Sequence, residues 1–137
     1  MNRLSVVLTG VVALAAATGV RAQLPQKYTN LQVLPKDTTP TQLVAMMKSF
    51  AQGLGVRCEH CHVGEGNDLS KFDFAADTKP AKATARKMIR MASTLNAQVT
   101  EIVPPAADAT GALRVTCFTC HRGAATPLTA PGGGGAP

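Results

Sequence analysis

Every cysteine in this chain falls within one of two copies of a five-residue pattern, Cys58-Glu59-His60-Cys61-His62 and Cys117-Phe118-Thr119-Cys120-His121. Cys-x-x-Cys-His is the signature of covalent haem attachment. The two thiols add across the two vinyl groups of a haem, and the adjacent histidine turns under the ring to give iron its proximal nitrogen. Cys58, Cys61 and His62 would hold one haem c; Cys117, Cys120 and His121 would hold a second. Structural zinc also takes cysteine and histidine, but these two pairs lie far apart in sequence, beyond the spacing of a compact zinc ribbon. A redox dithiol needs no following histidine, and here both pairs carry one.

The N-terminus has the form of a secretory signal. Met1-Asn2-Arg3 is a short basic start, Leu4 to Ala17 is almost wholly apolar, and Val20-Arg21-Ala22 offers small residues at a cleavage site. Residues 1–22 are expected to be removed after Ala22, leaving a periplasmic or otherwise exported protein; an uncleaved anchor is the alternative. Residues 23–126 form one small domain on this reading, and the Gly/Pro-rich tail of residues 127–137 cannot pack a core and is expected to be disordered. The aromatic residues are Tyr28, Phe50, Phe72, Phe74 and Phe118, with no Trp. Such a chain has a thin core of its own, and two flat apolar rings would supply what it lacks.

The basic balance has a local explanation. Of 14 Lys and Arg residues, Arg3 and Arg21 leave with the signal, so 12 face 8 acidic residues, an excess of +4. The propionates of two haems offset that excess. No dense basic face is needed to account for it, and a nucleic-acid partner is not expected.

Along the chain, Thr39-Pro40 reads as an N-cap and first-turn proline. Leu43, Met47, Phe50 and Leu54 then share one helical stripe, ended by Gly53 and Gly55. Residues 63–77 read as a loop. Asp77 or Thr78 is expected to cap a second helix with Pro80 in its first turn and a stripe of Ala81, Ala85, Met88, Ala92, Leu95 and Val99. A connector from Pro104 leads to the second pattern. The fold expected is mainly α, a small multihaem cytochrome c with two pseudo-repeated units of helix, connector and haem motif, and little β.

Each helix carries a methionine pair, Met46/Met47 and Met88/Met91. A thioether is a suitable distal ligand, stabilising ferrous iron relative to bis-histidine ligation; filling a core gap is the competing role. The stripes select Met47 for the iron on His62 and Met88 for the iron on His121, with Met46 and Met91 as alternatives. His60 is expected at the surface. Arg57, Arg122 and Tyr28 are candidates for propionate contacts, with solvation or simple packing as the competing reading. No catalytic acid–base set is visible, so an electron carrier is expected rather than an enzyme. The alternatives are a small haem peroxidase or reductase, and a docking subunit of a respiratory or photosynthetic complex.

Several segments together resemble the haem units of the cytochrome c subunit of photosynthetic reaction centres. They are Asn30-Leu31-Gln32-Val33-Leu34, the run Met47-Lys48-Ser49-Phe50-Ala51-Gln52-Gly53-Leu54-Gly55-Val56-Arg57-Cys58, Ala85-Arg86-Lys87-Met88-Ile89-Arg90-Met91 with Leu95-Asn96, and Val115-Thr116-Cys117-Phe118-Thr119-Cys120-His121-Arg122-Gly123. The resemblance implies a helix parallel to each haem plane with a methionine ligand on it. Carried over, those ligands are Met47, eleven residues before Cys58, and Met88. The family's full subunit has four haems, a lipid-anchor cysteine and a histidine in the linker before the last motif. This chain has two motifs, no further cysteine and no histidine between Asn96 and Thr116. The resemblance therefore implies fold and ligand chemistry more directly than it implies a partner. A redox protein donor and acceptor, with a membrane electron-transfer complex as one possibility, are the expected partners.

Overall fold

A computed structural model describes residues 28–104 and 113–130. The signal sequence, the start of the lead-in, most of the connector after Pro104 and the end of the tail lie outside the described residues. Among the described residues there are three α-helices: α1 (Pro40–Leu54), α2 (Pro80–Ile102) and α3 (Cys117–His121). Short 3₁₀ turns lie at Cys58–His60 and Leu69–Lys71, and the only β feature among the described residues is an isolated bridge between Val63 and Asp73. The chain is mainly α, as its stripes predict.

The first helix starts where its sequence says it should. The Thr39 side chain accepts from the Gln42 N–H, Gln42 Oε1 accepts from the Thr39 N–H at 3.0 Å, and Pro40 occupies the first turn, where its missing N–H costs nothing. It ends at Gly55, whose φ of 64° is the left-handed conformation that glycine adopts without strain. Gly53 has a different task from the helix stop expected of it. It lies inside α1, buried, and a Cβ there would sit 2.9 Å from both the Cys117 Cβ and the Phe118 amide nitrogen. Its carbonyl accepts from the Gly123 N–H at 2.9 Å. Gly53 is therefore the point at which α1 and α3 touch backbone to backbone.

The expected cap of α2 is not observed. Lys79 is the N-cap residue and supplies no side-chain bond. Asp77 has been recruited elsewhere, pairing with Lys82 Nζ and with Arg86 Nη1, each at 2.9 Å. The helix relies instead on Pro80 in its first turn and on its Ala, Lys, Arg, Met and Leu content, all strong helix formers.

Almost nothing in this fold is held by a conventional core. Phe72, at 9 % exposure, is the one buried hydrophobic side chain among the described residues, and no side chain is fully buried. Phe72 stacks on Phe74 with ring centroids 5.4 Å apart and lies over Gly64, where a Cβ would strike its ring. The remaining order comes from side chains that bond backbone. Asn96 Nδ2 donates to the Ala92 and Val115 carbonyls, and Asn96 Oδ1 accepts from the Arg114 and Val115 N–H groups at 2.9 and 3.0 Å. One amide thus fastens α2 to the bend that leads into α3. At the other end of α2, Asn30 and Gln32 donate to Asp77, tying the N-terminal lead-in to the same cluster.

Gly53→Ala tests the α1–α3 contact. Alanine gains about 1 kcal/mol of helix propensity over glycine, but overpacking costs about 1–3 kcal/mol. The nearest atoms belong to backbone and to a Cβ, which cannot swing away, so the net expected outcome is destabilisation by up to about 2 kcal/mol, measured by urea denaturation of the loaded protein.

Candidate haem sites

The first motif folds as a tight turn. The Cys61 N–H donates to the Cys58 carbonyl at 3.2 Å and the His62 N–H to the same carbonyl at 3.0 Å. That places Cys58, Cys61 and His62 on one turn of backbone. The second motif is one turn of α-helix, opened by the Thr116 N–H donating to Thr119 Oγ1 at 3.0 Å. It closes through Arg122 (φ 50°) and Gly123 (φ 83°), two left-handed residues in succession, with the Arg122 N–H donating to the Phe118 carbonyl at 3.0 Å. None of the four cysteines is in a disulfide.

The two histidines are prepared differently. His121 Nδ1 lies 2.9 Å from the Ala124 carbonyl oxygen. A carbonyl can only accept, so Nδ1 carries the proton and Nε2 keeps its lone pair, which is the tautomer a metal ligand needs. His62 is half-buried, and its Nδ1 is buried without a hydrogen-bond partner. The Phe74 ring meets the His62 ring edge-on, with centroids 5.1 Å apart. Burial is the largest influence pushing the His62 pKa below its ordinary value, followed by the charge of Lys82. The Phe74 carbonyl acts the other way without closing a full bond, and Arg86 and Lys79 add to the lowering. A depressed pKa keeps the imidazole neutral and its lone pair available at neutral pH. Burial likewise pushes the Cys61 and Cys117 thiols up.

These groups fit haem better than zinc. Each motif turn presents two thiols and one imidazole, the donor set of thioether attachment plus a proximal ligand. Among the described residues, no three His, Cys, Asp or Glu side chains gather as a metal-binding group, whereas a zinc site needs four donors on one ion. The near-absence of a protein core fits a fold organised around large apolar groups.

The methionines take contrasting positions. Met46 and Met47 are half-buried on α1. Met88 is 43 % and Met91 50 % exposed on α2. Met88 is thus the exposed member of a stripe whose other residues, Ala81, Ala85, Ala92, Leu95 and Val99, are half-buried. The structure brings α1 against α3 through Gly53, while α2 reaches the second motif through Asn96 instead of through close helix packing. His60 is exposed, as expected. Arg57 is engaged by protein, pairing with Glu59 at 3.0 Å and donating to Asn67 Oδ1. Tyr28 keeps a buried hydroxyl without a partner.

Sequence reasoning missed the polar cluster beside the first motif. Lys82 Nζ donates to the carbonyls of Phe74, Ala75 and Ala76 at 2.9, 3.2 and 2.7 Å. Arg86 Nη2 donates to the Asn30 carbonyl at 3.4 Å, and Lys79 Nζ donates to the Glu59 carbonyl within the motif turn. The available signal was two cations at i and i+4 on the face of an alanine stripe, with one nearby acid.

Comparison with known proteins follows this geometry. The model of the photosynthetic reaction centre cytochrome c subunit family matches residues 7–130. The chain belongs to that family. It is 38 % identical over 92 residues to the photosynthetic reaction center cytochrome c subunit of Rubrivivax gelatinosus, covering 61 % of this chain and 23 % of that protein. It is 34 % identical over 102 residues to the protein of the same name from Roseobacter denitrificans, covering 73 % and 25 %. It is 33 % identical over 100 residues to cytochrome c-554 of Chloroflexus aurantiacus, covering 72 % and 21 %. The chain thus spans about a quarter of the length of these relatives. No solved structure matches it. That family, by its name, is one of cytochrome c subunits.

The Asp77 cluster has a pH signature. Arg86 first, then Lys82 and Asn30, hold the Asp77 carboxyl well below the usual carboxylate range. A carboxyl whose pKa is depressed by folding adds stability that is present above its ordinary value of 3.8 and lost as pH falls toward the folded value. The stability difference between the parent protein and Asp77→Asn should therefore be constant at neutral pH and shrink only as pH falls below about 4, measured by urea denaturation across pH. A difference already lost by pH 5 would contradict this.

Proposed function

We propose that this chain is an exported dihaem cytochrome c that passes single electrons between redox proteins, its two haems held on residues 23–126. The observation that carries the reading is the pairing of two complete Cys-Cys-His turns with a polypeptide in which Phe72 is the only buried hydrophobic side chain among the described residues. Bound haem supplies a one-electron ferric/ferrous couple. The chain's own residues do the rest. Cys58 and Cys61 would hold one haem through thioether bonds and Cys117 and Cys120 the second, with His62 and His121 giving each iron a nitrogen ligand. Met47 would serve the iron on His62, and Met88 the iron on His121.

Export follows from the form of residues 1–22. Among the described residues, no helix is long and apolar enough to cross a membrane. Two of the relatives are named as reaction-centre subunits, which supports a membrane electron-transfer complex as the class of partner. The reading is a carrier rather than an enzyme, which the names of the relatives, cytochrome c subunits and a cytochrome c-554, support.

Intact mass under denaturing conditions should exceed the exported polypeptide by two haems. A bare mass, or zinc in elemental analysis, would overturn the reading. Replacing Met47 or Met88 with alanine should leave both haems attached, open one iron to carbon monoxide and lower that haem's midpoint potential. Met91→Ala should keep both low-spin spectra, and, being half exposed, should cost less than the roughly 2–5 kcal/mol of a fully buried methionine. If instead Met46→Ala and Met91→Ala open the irons, the ligands lie on the neighbouring faces of α1 and α2.

A further inference from the structure

Asn96 lies inside α2, where asparagine is a poor choice, because its short amide competes with the backbone for hydrogen bonds. Here the amide is fully employed. Nδ2 donates to the Ala92 carbonyl at 2.8 Å and to the Val115 carbonyl at 2.7 Å, and Oδ1 accepts from the Arg114 and Val115 N–H groups. A primary amide has two N–H donors and two lone pairs, so its whole capacity is used. Its orientation is fixed by these partners, since turning it over would set N–H against N–H and oxygen against oxygen. All but one of the bonds go to Arg114 and Val115, which lead directly into Thr116, the N-cap of α3.

That tie registers α2 against the second motif. The close helix packing among the described residues is between α1 and α3, at Gly53, and not between α2 and α3. Met88 stands on the same uninterrupted helix as Asn96. Met88, Ala92 and Asn96 follow one another at four-residue spacing, so they form one strip of helix surface, and the Ala92 carbonyl is one of the amide's own acceptors. Met88 lies about 12 Å along the axis from Asn96 and about 80° round it, within a quarter-turn of the face that Asn96 turns to the second motif. Met91 lies about 140° round, well away from that face. A slide or rotation of α2 allowed at Asn96 would be carried to Met88 through continuous helix.

We propose that Asn96 is a positioning residue for the second haem site: by fastening α2 to the backbone of Arg114 and Val115, it sets where the Met88 thioether stands relative to the Cys117–His121 turn. The proposal rests on the dihaem reading above and on Met88 as the ligand of the iron on His121. Asn96 acts through Met88 and through the lead into α3, so its removal should release one ligand and leave haem attachment to Cys117 and Cys120 intact.

Asn96→Leu removes all of these bonds, keeps the branch at Cγ and raises helix propensity, so α2 itself is not weakened. Each holoprotein is weighed under denaturing conditions, checked for helix content by circular dichroism, then reduced and titrated with carbon monoxide. The expected result is two haems and unchanged helix content throughout. The parent should take up no carbon monoxide, while Met88→Ala and Asn96→Leu should each take up one molecule. The double variant Met88→Ala/Asn96→Leu should still take up one, and Met47→Ala/Asn96→Leu two. In the ferric state, the thioether-to-iron charge-transfer band of Asn96→Leu should fall to about half that of the parent. With two haems attached, an Asn96→Leu protein that keeps the full band and takes up no carbon monoxide would overturn the proposal and leave the dihaem reading standing. A second molecule bound by Met88→Ala/Asn96→Leu would do the same, by placing the effect at the other iron. Met88→Ala without carbon monoxide uptake would remove the ligand assignment, and the proposal with it, but not the two haems. A parent carrying fewer than two haems would overturn both. Should Asn96→Leu fail to load its second haem, Asn96→Ala, which has no bulk to accommodate, decides; loss of that haem there as well would make Asn96 a folding residue and refute the proposal.

Discussion

This fold is held together by side chains bonding to main-chain groups, because it has almost no apolar interior of its own. With Phe72 as the one buried hydrophobic side chain among the described residues, burial of protein against protein cannot offset the conformational entropy of ordering the chain. Three polar ties carry the load. Lys82 gathers the carbonyls of residues 74–76, Asn96 bonds both the Ala92 turn of α2 and the backbone at Arg114 and Val115, and the Gly53 carbonyl receives the Gly123 N–H. Each tie fixes a segment next to a Cys-Cys-His turn. The polypeptide is a frame for two motifs, and its other apolar side chains among the described residues are half-buried or exposed.

Features governed by neighbours in sequence were legible. Thr39, Pro40 and Gln42 announce the start of α1, Gly55 its end, and Pro80 the start of α2, since each works through bonds or sterics within one turn. The motif turns were legible for the same reason: two thiols and an imidazole within five residues share one turn of backbone. What could not be read was anything that depends on a partner far along the chain. Gly53 looked like a helix stop because its actual constraint, the backbone of Cys117 and Phe118, arrives from more than sixty residues away. Asp77 looked like an N-cap because Lys82 and Arg86 pull it into a cluster whose other members, Asn30 and Gln32, come from the lead-in. Lys82 carries no local signal of its own in the sequence, and its burial follows only once the 74–76 carbonyls are seen to converge on it.

The two halves repeat in sequence without being equivalent in structure. The first motif opens with a 3₁₀ turn followed by the 63–77 loop, which folds back through the Val63–Asp73 bridge and delivers Phe74 to His62. The second is a turn of α-helix stopped within two residues by Arg122 and Gly123, and its histidine is oriented by a backbone carbonyl only three residues on. One imidazole is set by a local hydrogen bond and the other by packing against a ring that a distant lysine holds. Burial and nearby cations also lower the pKa of His62. Two chemically identical motifs in one small chain are therefore given different electronic surroundings by the way each histidine is supported.

The helix α1 makes these two surroundings part of one structure. Its C-terminal end runs within four residues into the first motif, and the same end, at Gly53 and Gly55, lies against Cys117 and Gly123 of the second. Glycine at both positions is what permits this approach: at Gly53 because any Cβ meets backbone, and at Gly55 because the left-handed turn that ends the helix points its missing side chain at the Gly123 carbonyl. A displacement of α1 would shift the stem of the first motif and the floor of the second together. The short helix thus does what a shared hydrophobic core does in other small domains. It makes the position of one motif depend on the position of the other, and in the dihaem carrier proposed above that mutual dependence would keep the separation of the two centres constant.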